Sequence, residues 1–280
     1  MIGRILLGIG GTDCAESSIH TAVDLARRHD AELTGVTLLG VKQLMNVGPV
    51  PIGAGGFAAD LREHRLQEAR ERAEEGVEQF ADACQEAKVR FSVLREERDE
   101  AFNYLVSQSR YHDLVVLGLH GAFELGMPGE PHYDPSVVLM KLITGGVRPL
   151  LAVGPEVRDY HRAMIAYSGS VASAKTMKRF VQMRPWGDMR VRIVAFGHDA
   201  ERRRSHLQHA AEYCRANGLE PETHHHDGPA KGGLLEAADD WGADLIVMGN
   251  SARNLLVRRV LGDTMLDTVQ RSPLPLFLGQ

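Results

Sequence analysis

Asp113-Leu-Val-Val-Leu-Gly118 and Asp244-Leu-Ile-Val-Met-Gly249 are nearly the same phrase, written twice in one chain of 280 residues. Each is a short branched apolar run that stops at a glycine, the pattern of a strand buried on both faces of a parallel sheet. Upstream of each phrase the order of elements also repeats. Arg4-Ile-Leu-Leu-Gly-Ile-Gly10 is closed by Gly11-Thr12 and followed by Ile19, Ala22, Val23 and Ala26 at helical spacing. Arg162-Ala-Met-Ile-Ala-Tyr-Ser168 is closed by Gly169-Ser170 and followed by Ala174, Met177 and Val181. A second strand comes next in each half, Leu33 to Leu39 and Val191 to Phe196. An amphipathic helix follows, carried by Leu66, Ala69, Ala73, Val77, Phe80 and Cys84 in one half and by Leu207, Ala210, Ala211 and Cys214 in the other, where Gly218 is a natural stop.

Third strands are expected over Val89 to Leu94 and Glu220 to His226, and each half closes with a proline-led apolar strand, Pro149-Leu-Leu-Ala-Val153 and Pro275-Leu-Phe-Leu278. Strands alternating with helices at this spacing imply right-handed crossovers and parallel sheets covered on both faces. The reading is therefore α/β, with two tandem open parallel five-stranded sheets: a first domain over 1–155 and a second over 160–280, joined near Gly154 to His161. The closing strands are expected to pair with each other or with another chain, because a bare apolar edge invites association. Residues 42–59 have no counterpart in the second half, and Asn46-Val-Gly-Pro-Val-Pro-Ile-Gly-Ala-Gly-Gly56 is too rich in Gly and Pro to predict a regular element there. That insertion reads either as a surface loop or as a lid over a ligand.

Composition narrows the function. The chain is 44% hydrophobic and 25% charged, the profile of a globular protein. A formal net charge of −5, with Lys and Arg scattered among Asp and Glu, offers no field to attract a nucleic-acid backbone. No apolar stretch approaches the roughly 20 residues that span a bilayer, and no secretory leader opens the chain, so a cytoplasmic location without membrane partners is expected. Cys14, Cys84 and Cys214 are far apart and form no metal or disulfide pattern. There is no P-loop, nucleophile elbow or complete dinucleotide fingerprint, and no general base is convincingly placed, so an enzyme is not expected beyond a slow ATPase.

Gly249-x-x-Ala252, then nine residues, then Gly262-Asp263-Thr264 resembles the glycine-rich nucleotide loop of the universal stress protein family, and the two repeats together look like a tandem member of it. The resemblance implies an adenine nucleotide, ATP or AMP, or another small anion, laid across the carboxyl ends of the strands, with Mg2+ as a possible companion and signalling by occupancy. It also implies a homodimer or an intramolecular pseudo-dimer. Carried over position by position, it puts Gly249, Ala252, Arg253, Gly262, Asp263 and Thr264 near phosphates, with Ser168 at the end of the first strand of the second half and Gly118 and Gly121 in the first half. The chain departs from the family pattern at four places. Gly10 and Ser168 stand where an aspartate meets the adenine, Ala252 replaces a glycine, and Asp263 replaces a hydroxyl residue. Asp263 either repels a phosphate, recruits a cation, or caps the last helix. In the first half Gly118-Leu-His-Gly121 is intact, but Pro131 stands nine residues on, so the second half is the expected nucleotide site. The alternative is an interaction scaffold whose pockets have decayed and whose role lies in dimerisation. His224-His225-His226-Asp227 reads as a solvated strand end, since only His224 and His226 share a face. Arg253, Arg258 and Arg259 form a basic loop, and His120 and His132-Tyr133-Asp134 lie where proton transfer is conceivable.

Overall fold

The structure, a computed structural model, describes residues 1–10, 13–98, 101–119, 142–143, 145, 149–250 and 263–279. The first half runs β1 (Arg4–Gly8), α1 (Ala15–His29), β2 (Glu32–Gly40), α2 (Val41–Leu44), α3 (Gly55–Glu86), β3 (Phe91–Arg98), α4 (Ala101–Ser109), β4 (Leu114–Gly118) and β5 (Leu150–Val153). The second runs β6 (Arg162–Ala166), α5 (Val171–Met183), β7 (Arg190–Phe196), α6 (Ala200–Ala216), β8 (Glu222–His226), α7 (Ala230–Trp241), β9 (Leu245–Gly249), α8 (Asp263–Arg271) and β10 (Leu276–Gly279).

The expectation of two separate sheets is corrected in one respect. The ten strands of the described residues belong to one sheet, in the order β3-β2-β1-β4-β5-β10-β9-β6-β7-β8. Pairing is parallel within each half, but β5 and β10 meet antiparallel, Leu276 opposite Ala152, Phe277 opposite Leu151 and Leu278 opposite Leu150. The reason is the bareness of each closing strand: every residue of both is buried. The same edge, presented by two repeats, covers itself when one repeat is turned over, and that operation reverses the strand direction. Alternation along β10 then feeds two cores. Phe277 packs on one face with Leu151, Ile165 and Phe180. Leu276 and Leu278 pack on the other with Leu150, Met164 and Ile246.

The repeated aspartates have a structural task. The Asp113 carboxylate accepts from the backbone N–H of Gly3 at 2.8 Å and of Arg4 at 3.0 Å. Asp244 accepts from His161 and Arg162, both at 2.8 Å. Each therefore ties the start of its half's first strand to the strand beside it, at the amino edge of the sheet and away from any ligand. Arg4 and Arg162 repeat a second tie, donating from Nη1 to the carbonyls of Tyr111 and Trp241.

Several expected boundaries move. The third strand of the first half lies at Phe91–Arg98 rather than 89–94. The insertion is less irregular than its composition suggests: Val41–Leu44 is a short helix, and Gly55-Gly56 opens the 32-residue α3, whose Arg62 and Arg65 donate to the carbonyls of Met45 and Asn46. The glycines sit in the first turn, where half of the helical hydrogen bonding is missing in any case. The segment joining the halves is pinned to α1. Ser17 donates to the Gly154 carbonyl at 2.5 Å, and the hydroxyls of Thr21 and Tyr160 lie 3.1 Å apart, with Tyr160 stacked on Trp186 at 3.9 Å.

Candidate functional site at the carboxyl ends of the second half

A cavity of about 340 Å³ opens where β6, β7 and β9 end, bounded by the start of α5, by α6, and by the first turns of α7 and α8. Its floor is strand-end side chains, Ala166, Val194, Phe196 and Met248; its rim includes Ser168, Gly197, Gly228, Gly249 and Thr264. This is where an open parallel sheet presents unpaired backbone groups to ligands. Among the described lining residues Arg203 is the one that carries a full charge, and no carboxylate joins it.

Ser168 sits at the cavity with its hydroxyl engaged: Oγ lies 2.9 Å from Ser170 Oγ and 3.2 Å from Ser173 Oγ. Ser170 is the N-cap of α5, accepting from the Ser173 N–H at 3.2 Å. Where an acidic residue would give a charged acceptor, this chain therefore has a small hydroxyl cluster. Gly249 belongs to the rim for a steric reason. A Cβ there would fall 2.5 Å from the Ala172 carbonyl oxygen and 2.8 Å from the Ser173 nitrogen, so its lack of a side chain lets α5 rest on the end of β9. Thr264 lines the cavity from α8, whereas Asp263, exposed in the first turn of the same helix, is not among the lining residues. An acid in that turn is favoured by the helix dipole whether or not a ligand is present.

Arg203 is held in place. Its Nη1 donates to the Ser168 carbonyl at 2.9 Å, and its Nε is buried without an acceptor among the described residues. Gly197, at φ +129, makes room for it: a Cβ there would come within 3.0 Å of Nε. Neither Arg203 nor the lining pair Gly197 and Gly228 was singled out by the sequence reading. The two glycines do carry a signal, since each follows closely on a strand end and takes a positive φ, +129 and +102. Arg203 has none, being one of several arginines in α6.

Of the expected site residues, the structure brings Ser168, Gly249 and Thr264 to one cavity and leaves Asp263 beside it. Ala252, Arg253 and Gly262, like Arg258 and Arg259, lie outside the described residues, as do Gly121, His120, Pro131 and His132-Tyr133-Asp134. Gly118 ends β4 opposite Val153, buried in the sheet of the first half. There the counterpart of Tyr167 is Ile9, whose side chain packs against Gly76 of α3 and is only 2% exposed.

The histidine run behaves as a strand end. His225 Nε2 donates to the Gly197 carbonyl at 2.7 Å, His226 stacks on Phe196, and the rings of His224 and His226 are 4.4 Å apart. Among the described residues no group of three or more His, Cys, Asp or Glu is placed to hold a metal ion. All three cysteines are buried and none is in a disulfide, and burial pushes the thiols of Cys84 and Cys214 up to about 12 and about 11. No described helix is long and apolar enough to cross a membrane.

Comparison with known proteins agrees with this architecture. The crystal structure of a universal stress protein from Archaeoglobus fulgidus DSM 4304 is similar to the chain with a TM-score of 0.63 at 18% identity, over 98% of this chain and 95% of that one. A functionally unknown protein from Pseudomonas aeruginosa PAO1 is similar with a TM-score of 0.57 at 15% identity, over 99% and 92%. At these identities the likeness speaks for the fold. Comparison with curated proteins gave no match. The model of the universal stress protein family matches residues 1–127 and 179–278, one stretch in each half and more than half of the whole, so the chain belongs to the universal stress protein family.

Proposed function

We propose that this protein is a nucleotide receptor of the stress-response type, holding one purine nucleotide in the cavity of the second half and signalling through its occupancy. The observation that carries the reading is the cavity itself: about 340 Å³, at the carboxyl ends of β6, β7 and β9, apolar on its floor and polar on its rim. That volume lies at the lower end of the range of small-molecule sites, suited to a nucleoside monophosphate. Gly249 and Thr264 mark the phosphate end, because there the strand end faces the first turn of α8, and a helix N-terminus favours an anion.

Three features support the second half over the first. Ser168 offers a hydroxyl where Gly10 offers no side chain; Tyr167 lines a cavity where Ile9 is packed away; and Arg203 adds a positive charge. The domain bounds that suit this reading are 1–155 and 160–280. In this proposal Mg2+ is a companion of the phosphates rather than a resident of the protein. Calorimetric titration with ATP and AMP of the wild type and of Ala166→Phe, which fills the floor of the cavity, tests the proposal. Binding in the micromolar range that is lost in the variant supports it. Equal binding by both proteins would place the ligand elsewhere. No binding by the folded wild type at millimolar nucleotide would favour the scaffold reading, in which the β5–β10 pseudo-dimer is the functional unit.

A further inference from the structure

We infer that Arg203 reads the base of the bound nucleotide and selects a 6-oxopurine, guanine or hypoxanthine, over adenine. The inference rests on the nucleotide reading above and on the direction in which the ligand lies. The sheet order β9-β6-β7 sets Gly249 and Thr264 at one end of the cavity and Phe196, Gly197 and Arg203 at the other. With its phosphates at the first end, a nucleotide laid across the strand ends carries its base to the second, over Val194 and Phe196.

The charged side chain at that end, Arg203, is a donor. A guanidinium has N–H groups and no acceptor. Its seat is built for it: the Ser168 carbonyl takes Nη1, and Gly197 leaves the space beside Nε and Nη2. Two nearby carbonyls already have a donor, that of Ser168 from Arg203 and that of Gly197 from His225. No carboxylate stands among the described lining residues. Adenine presents a donor, its 6-amino group, beside the acceptor N7, whereas a 6-oxopurine presents two acceptors, O6 and N7, the edge to which arginine pairs with two hydrogen bonds in nucleic-acid recognition, so the two bases differ toward Arg203 at the 6-position. Donor against donor leaves two desolvated groups unsatisfied. Donor against carbonyl satisfies both.

Inosine monophosphate (IMP) and AMP differ at the 6-position, with the accompanying change at N1, so the ratio of their affinities for one protein reads this contact and is insensitive to the folded fraction. Calorimetric titration of the wild type is expected to give IMP tighter than AMP by about tenfold, within the roughly 5- to 150-fold that one good base contact supplies. In Arg203→Met the ratio falls to within about twofold. In Arg203→Gln, whose amide adds an acceptor, it moves further toward AMP. AMP binding as tightly as IMP to the wild type overturns the base selection while leaving the nucleotide reading in place. An IMP preference that survives both substitutions overturns the role of Arg203. No binding of either nucleotide to folded protein at millimolar concentration overturns both readings together.

Discussion

Gly249 carries a constraint that a phosphate-loop reading alone would not reveal. With Ala172 and Ser173 less than 3 Å from where its Cβ would be, Gly249→Ala must push α5 away from β9, and overpacking of this kind costs about 1–3 kcal/mol or more. Chemical denaturation is expected to show that loss without any ligand present. Asp263 gives the opposite expectation. It is exposed and outside the cavity lining, so Asp263→Ser should leave ATP affinity within about twofold, serine being nearly as good near a helix start. A ten- to hundredfold tightening in titrations with and without magnesium would show instead that the carboxylate faces the phosphates. His112 supplies a pH dependence. Burial is the main cause holding its pKa below the usual value; Nδ1 donates to the Gln108 carbonyl at 2.8 Å and Nε2 is buried without a partner among the described residues. A folded pKa below the unfolded value of about 6.5 means that the unfolded chain binds the proton more readily as the pH falls. Its contribution is therefore present above that unfolded value and lost below it. Denaturation midpoints at pH 7 and pH 5 should fall less in His112→Gln than in the wild type.

At the scale of the elements, each half is clamped by one carboxylate that joins its first and fourth strands. Asp244→Ala removes the one carboxylate oxygen, Oδ2, that accepts from two backbone N–H groups at the sheet margin and is expected to cost about 1–3 kcal/mol, with Asp244→Asn in between; chemical denaturation measures both. Nucleotide affinity should be unaffected, since Asp244 lies at the opposite edge of the sheet from the cavity. The repeated phrase that discloses the fold is thus legible because its apolar run and its aspartate serve architecture. The cavity is less legible. Ser168, Gly249 and Thr264 follow from their positions after strands and before helices. Arg203 comes from a helix that faces the site only after folding, and nothing in the spacing of α6 separates it from Arg202 or Arg204. The start of α3 was obscured by composition, because glycines at 55 and 56 resemble a loop until the rest of the helix carries them.

For the molecule as a whole, the β5–β10 seam makes the two halves a single sheet with cores that cross it on both faces. Phe277, fully buried and edge-on to Phe180 at 5.3 Å, lies at that crossing. Phe277→Ala is expected to cost about 3–5 kcal/mol and to lower both halves in one cooperative transition followed by circular dichroism. Two separated transitions would show that the seam does not couple them. The division of labour that follows is a first half in which Ile9, just after β1, is packed against α3, and a second half that keeps an open cavity at the corresponding place. The most direct measurement of that claim is a titration of the isotopically labelled protein with purine nucleotide, read from backbone amide resonances. The account predicts shifts concentrated at Ser168, Gly197, Gly228, Gly249 and Thr264 that saturate with one equivalent bound. Shifts concentrated around Gly10 and Gly118, or none at millimolar nucleotide, would contradict it.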